Sequence, residues 1–157
     1  MSVQLSKNFT LTEFTKSQAG DRLGIDNTPT GEHLENLKNL VSNIIQPLRE
    51  KLNKPITINS GYRGEAVNKA VGGVSTSQHC SGEAADIECP GMSNPDLANF
   101  IKQHFEFDQL ILEFHKPGVP DSGWVHVSLK RGGTQRKQCL TAVSEGGKTV
   151  YKPGLLS

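Results

Sequence analysis

His79, Asp86 and His126 are the residues whose types best suit chemistry. Two imidazoles and one carboxylate make a donor set that suits zinc, with a fourth position left open for water. His79 lies in a polar loop, Ser75 to Gly82, and Asp86 in the apolar run that follows it. Seven residues separate them. That is too far for neighbours on one helix face and within reach of a loop folding back beside its own strand. Each residue also has an ordinary reading. A strand histidine is usually a polar-face residue, an aspartate a turn or capping group, a glutamate such as Glu113 a solvated charge, and an arginine such as Arg63 a surface cation. Residue types alone leave both readings open.

The elements that must position these side chains can be read from periodicity and turn chemistry. Thr10-Leu-Thr-Glu13 has capping-box spacing and predicts a short helix with Leu11 and Phe14 on one face. Gly20 to Thr28 is irregular. Thr28-Pro29 reads as an N-cap followed by proline in the first turn. Leu34, Leu37, Val41, Ile44 and Leu48 then recur at helical spacing, predicting a helix over 29–52 that Pro47 should kink or weaken in its last turn. Residues 55–59 alternate as a strand, and Ser60-Gly-Tyr-Arg63 turns away from it. Glu65 to Val71 reads as a short helix stopped by Gly72-Gly73, and Ala84 to Cys89 as a second strand. Asn94-Pro95 should cap a further helix reaching His104, with Leu97, Phe100 and Ile101 inward.

The last third reads as β structure: strands over 109–114 and 124–129, then a hairpin of 136–143 and 148–152 around Gly146-Gly147. The expected class is α+β, with N-terminal helices packed on a mainly antiparallel sheet. The strand pattern also bears on chemistry. Leu110, Leu112 and Phe114 share one face, as do Val125, Val127 and Leu129. If the two strands pair with those faces on the core, Glu113 and His126 share the other. A carboxylate beside a metal-ligand histidine is the arrangement that activates a metal-bound water.

Composition narrows the classes. The 157 residues suit one domain spanning 1–157, with 34% hydrophobic residues and a mean hydropathy of -0.44. Seventeen basic and 16 acidic residues leave a net charge of +1, which argues against a phosphate-driven nucleic-acid binder. No apolar run approaches a membrane span, and Met1 to Lys7 lacks a stretch long enough for a secretory signal. Cys80, Cys89 and Cys139 are too few and too irregular for a disulfide framework or a cysteine zinc site, and read as free thiols. Non-haem iron oxygenases share the two-histidine, one-carboxylate set but pair their first two ligands two residues apart. A Cys80 nucleophile would need its own histidine base.

Ser77-Gln-His-Cys-Ser-Gly-Glu-Ala-Ala-Asp86 resembles the SxHxxGxAxD signature of the zinc D-Ala-D-Ala carboxypeptidase family, with Ser77, His79, Gly82, Ala84 and Asp86 at every fixed position. Trp124-Val-His126 is similar to that family's second metal motif, and Ser60-Gly-Tyr-Arg63 to its substrate-binding turn. Phe9 to Phe14, Asn27-Thr-Pro29 and Gln46-Pro-Leu-Arg49 resemble a phage and bacterial, endolysin-like branch, so that the likeness runs from about residue 9 to 140.

The resemblance implies a hedgehog/D-Ala-D-Ala peptidase-like fold and one zinc per chain on His79, Asp86 and His126. Arg63 would hold a substrate carboxylate or carbonyl. Water activated at zinc would attack the scissile carbonyl, and a carboxylate would carry the proton. Several relatives, such as the vancomycin-resistance dipeptidases, place that carboxylate three residues before the last histidine, where this chain has Gly123. Hedgehog domains carry it at the end of the preceding strand. Glu113 is therefore the first candidate base and Asp121 the second. Ser77, Gln78, His115 and Trp124 are candidate site-lining residues, with His115 on Glu113's face if its strand continues.

The expected activity is hydrolysis of D-amino-acid-containing peptide bonds of bacterial peptidoglycan, as carboxypeptidase or endopeptidase. The expected partner is a stem peptide or cross-bridge, with no nucleic acid and no membrane. The chain is expected to be a monomeric phage or prophage lysin, made in the host cytoplasm and acting at the cell wall. The alternative is a zinc-containing binding module of the same fold without hydrolysis. The bond cut and the wall type stay open.

Overall fold

The computed structural model describes residues 3–16, 24, 27–70, 78–116, 118–119, 122–132 and 134–155. The capping box forms: the Thr10 backbone N–H donates to Glu13 Oε2 at 2.7 Å and opens α1 (Leu11–Thr15), whose Phe14 is fully buried. The long helix begins three residues later than its sequence suggests. Gly31, not Thr28, is the N-cap of α2 (Glu32–Leu40). The helical run continues through Pro47. A π-helical turn (Val41–Ile45) precedes α3 (Gln46–Leu52), and the Gln46 N–H reaches back to Val41 O. Proline has no N–H for the carbonyl four residues back and its ring crowds that oxygen, so a widened turn absorbs the mismatch. Leu37, Leu40, Val41, Ile44, Ile45 and Leu48 form one buried stripe along this assembly.

The remaining elements are β1 (Thr57–Ser60), α4 (Glu65–Ala70), a 3-10 helix (Gln78–Ser81), β2 (Ala84–Glu88), α5 (Asn94–His104), β3 (Gln109–Glu113), β4 (Trp124–Ser128), β5 (Gln138–Glu145) and β6 (Lys148–Pro153). The N-cap of α5 is Ser93, whose Oγ accepts from the Asp96 N–H. Asn94 instead sends its side chain to Glu88 and to the Ser122 and Gly123 carbonyls. Leu97 and Ile101 face inward as expected, whereas Phe100 is half-buried and stacks on His104. Arg136 lies outside β5, because its backbone and guanidinium both bind Asp108.

The class is the expected α+β. The strands form a six-stranded sheet in the order β1-β2-β4-β3-β5-β6, antiparallel throughout except for the parallel β3–β5 pair. Ile58, Ala85, Ile87, Leu110, Leu112, Val125 and Val127 project from one face into the helices. Each large aliphatic side chain fully buried there contributes about 1.5–3 kcal/mol. Because side chains alternate along a strand, this burial forces Asp86, Glu113 and His126 onto the opposite face. Phe114 departs from the expected aliphatic set. Its φ of 56° ends β3, and its ring lies against Trp124, with centroids 5.4 Å apart. No helix among the described residues is long and apolar enough to cross a membrane.

Candidate metal centre

Asp86 and His126 are direct cross-strand partners in the β2–β4 pair, so their side chains leave the same face at one point. His79 arrives from the 3-10 helix. That helix is fixed by Asn36, which donates to Ser81 O at 2.9 Å, and by the Arg63 N–H, which donates to His79 O at 3.0 Å. Gly82 lets the chain pass from helix to strand. Its φ is +80°, and a Cβ there would stand 2.3 Å from the His33 carbonyl oxygen. The glycine of the signature thus holds the histidine loop against α2.

The three side chains are buried and converge. Asp86 Oδ1 lies 3.2 Å from His79 Nε2 and 3.1 Å from His126 Nδ1. Two donors each about 2.0–2.1 Å from a tetrahedral zinc lie roughly 3.3 Å apart, so the spacing fits such an ion. One donor atom from each residue falls within 4.8 Å of the others. His79 Nδ1 lies 2.7 Å from the Gly61 carbonyl oxygen. A carbonyl only accepts, so Nδ1 carries the proton and Nε2 turns its lone pair toward Asp86. Such an outer hydrogen bond is the usual way a ligand histidine is oriented. Burial disfavours the Asp86 charge, but the neighbouring His79 and His126 outweigh it and hold the carboxyl well below the usual range. An anionic carboxylate oxygen thus sits where two histidine nitrogens converge, a donor set that suits a cation.

The turn Ser60–Arg63 is also built in. The Tyr62 N–H donates to Phe14 O at 2.6 Å, and Asn27 Nδ2 donates to the Thr15 and Tyr62 carbonyls. Asn27 Oδ1 accepts from the Gly64 N–H, so one amide ties α1 to the turn that presents the Gly61 carbonyl and Arg63. Arg63 Nε is buried without a hydrogen-bond partner among the described residues.

Glu113 and Trp124 are cross-strand partners two pairs along from Ile111 and His126, and so on the same face. The indole Nε1–H donates to Glu113 Oε2. Burial, then the charge of Asp86, pushes the Glu113 carboxyl above its ordinary value. His126, the indole and Arg63 pull the other way. Gly123 bears on the alternative position for such a carboxylate. With φ +70°, a Cβ at 123 would lie 2.0 Å from the Glu113 carbonyl oxygen. This backbone leaves no room for a glutamate three residues before His126.

The other candidates sit as follows. β3 stops at Glu113, so His115 is not on its strand face. It lies in the following loop, with Nδ1 3.2 Å from Ser122 Oγ. Gln78 Nε2 donates to Asp108 Oδ2 at 2.9 Å. Ser77 and Asp121 lie outside the described residues, as does most of the irregular stretch 20–28. Cys80, Cys89 and Cys139 form no disulfide among the described residues.

Two contributors escaped the sequence reading. The Gly61 oxygen is a backbone group with no residue-type signal. Asp108 is fully buried beneath Arg136, Lys130 and Gln78, and its charge looked like any strand-end aspartate.

The sequence pattern of the peptidase M15 family matches residues 7–128. The chain belongs to the peptidase M15 family. It is also 38% identical over 61 residues to the zinc D-Ala-D-Ala carboxypeptidase of Streptomyces albus G, a match covering 38% of this chain and 24% of that protein's length.

Proposed function

We propose that this chain is a zinc peptidase that hydrolyses D-amino-acid-containing peptide bonds of bacterial peptidoglycan. The observation that carries the reading is the convergence of His79, Asp86 and His126 on one face of a sheet that also presents Glu113. His79, Asp86 and His126 would hold a zinc ion, which would supply Lewis acidity and lower the pKa of a water at the site. Glu113 serves as general base, taking the proton of the attacking water and passing it to the leaving amine. The indole of Trp124 holds its carboxylate in place. Arg63 binds a substrate carboxylate or carbonyl with its planar fork. The D-Ala-D-Ala type of bond is taken from the Streptomyces relative's name, and peptidoglycan is the material that contains such peptides. The reading as a monomeric phage or prophage lysin acting at the wall rests on the sequence resemblance at Phe9–Phe14, Asn27–Pro29 and Gln46–Arg49.

The test is digestion of purified peptidoglycan with and without a zinc chelator, with released fragments identified by mass spectrometry. Chelator-sensitive release of stem-peptide fragments is expected and names the bond. A protein that binds one zinc and releases nothing from any wall type would instead be a binding module of the same fold.

A further inference from the structure

The register of the sheet places one more residue beside the catalytic face. Glu113 pairs with Trp124 on one side and with Ala142 of β5 on the other, and Ala142 pairs with Tyr151 of β6. Trp124, Glu113, Ala142 and Tyr151 therefore form one lateral row, all projecting from the same face. The neighbouring row on that face is Asp86, His126, Ile111, Leu140 and Pro153, which contains two of the three metal-binding candidates. Tyr151 stands two strands from Glu113, about 9.6 Å by interstrand spacing. Ala142, fully buried, is the member of the row between them. A larger residue at 142 would wall Tyr151 off. Alanine keeps the row low between Glu113 and Tyr151.

Tyr151 is unlike the rest of its row. It is 53% exposed, one of three large hydrophobic side chains so exposed among the described residues. Its hydroxyl has no hydrogen-bond partner among them. The ring contributes little to the core, and β6 is an edge strand, so nothing beyond it in the sheet covers the ring.

We propose that Tyr151 is a substrate-positioning residue, forming the β6 wall of the peptide cleft. This rests on the peptidase reading above. Its ring face packs on a small aliphatic side chain of the stem peptide, and its hydroxyl donates to a peptide carbonyl or terminal carboxylate. Burial, Glu113 and Asp86 all push the phenol above its ordinary pKa, so it stays a donor across the neutral range.

The test uses the zinc-loaded protein and a synthetic stem pentapeptide. Calorimetric binding is measured in a Glu113→Gln background, where turnover does not interfere, and kcat and KM are measured with Glu113 intact. Tyr151→Phe keeps the ring and loses the donor, and should raise Kd and KM about three- to tenfold. Tyr151→Ala loses both and should cost about tenfold or more. In each variant kcat, zinc content and thermal unfolding should change little. If Tyr151→Ala folds poorly, the Phe variant decides alone. Peptide that binds all forms equally, with KM unchanged, would overturn the assignment while leaving the peptidase reading intact. Unsubstituted protein that neither binds nor cleaves the peptide would overturn both.

Discussion

The indole of Trp124 donates its one hydrogen bond to the carboxylate of Glu113, its direct partner across the β3–β4 pair. The aromatic residue two positions before His126 thus fixes the carboxylate proposed as the base. Replacing Trp124 with Phe keeps the ring and removes the donor. A hydrogen bond to a charged group is worth about 1.5–3 kcal/mol. We expect kcat to fall about ten- to a hundredfold with zinc content unchanged, measured by peptide hydrolysis beside elemental analysis. Full activity in that variant would remove the indole from the mechanism.

Glu113→Gln keeps the side-chain shape and still accepts from the indole, but cannot take a proton at neutral pH. General-base loss typically costs about 10²–10⁴ in rate. Zinc stoichiometry should hold, because Glu113 is outside the converging set. Unchanged turnover would move the base elsewhere, Asp121 being the next residue to substitute.

His79→Ala should lose metal. Losing an outer hydrogen-bond partner of a ligand costs about 10–100-fold in affinity, and losing the ligand itself should cost more. Zinc content after dialysis reads the result directly. Full retention would exclude His79 from the site, whatever the activity.

Asp108 gives a pH-dependent prediction. Burial opposes its charge, but hydrogen bonds from Arg136 and Gln78 prevail, holding the carboxyl well below the usual range. A folded-state pKa below the unfolded value means that ionised Asp108 stabilises the fold fully above about pH 3.9. That contribution is lost as pH falls through this value toward the folded-state pKa. Asp108→Asn should lower neutral-pH stability by about 1.5–3 kcal/mol and flatten the acid limb of a urea-midpoint profile. A steep acid limb in the variant would assign acid unfolding to other carboxylates.

Much of the site was legible because its signals are local. The capping box at Thr10–Glu13 and the alternation in β3 and β4 each depend on a few neighbouring residues, and that alternation put Glu113 and His126 on one face. The misread boundaries were also local contests. Thr28-Pro29 looked like a helix start, but Gly31 caps the helix. Ahead of Pro47, where the sequence suggested a kink or a weakened turn, the helix widens into a π turn. Asn94 looked like a cap, but Ser93 fills that role and frees the Asn94 amide for the Ser122 and Gly123 carbonyls.

The sequence by itself determined which side chains can bind a metal and which face of each strand they leave, because donor chemistry and the two-residue period are properties of short segments. Only the tertiary structure decided that β2 lies beside β4, bringing Asp86 opposite His126, and that the Gly61 carbonyl sets the His79 tautomer. It alone put Tyr151 in the row of Glu113, through a parallel pair between strands separated by β4 in the chain. Those relations depend on which distant segments share a hydrogen-bonded ladder. That choice is made by burial of the whole apolar face against the helices, a sum over many residues that no single stretch of sequence carries.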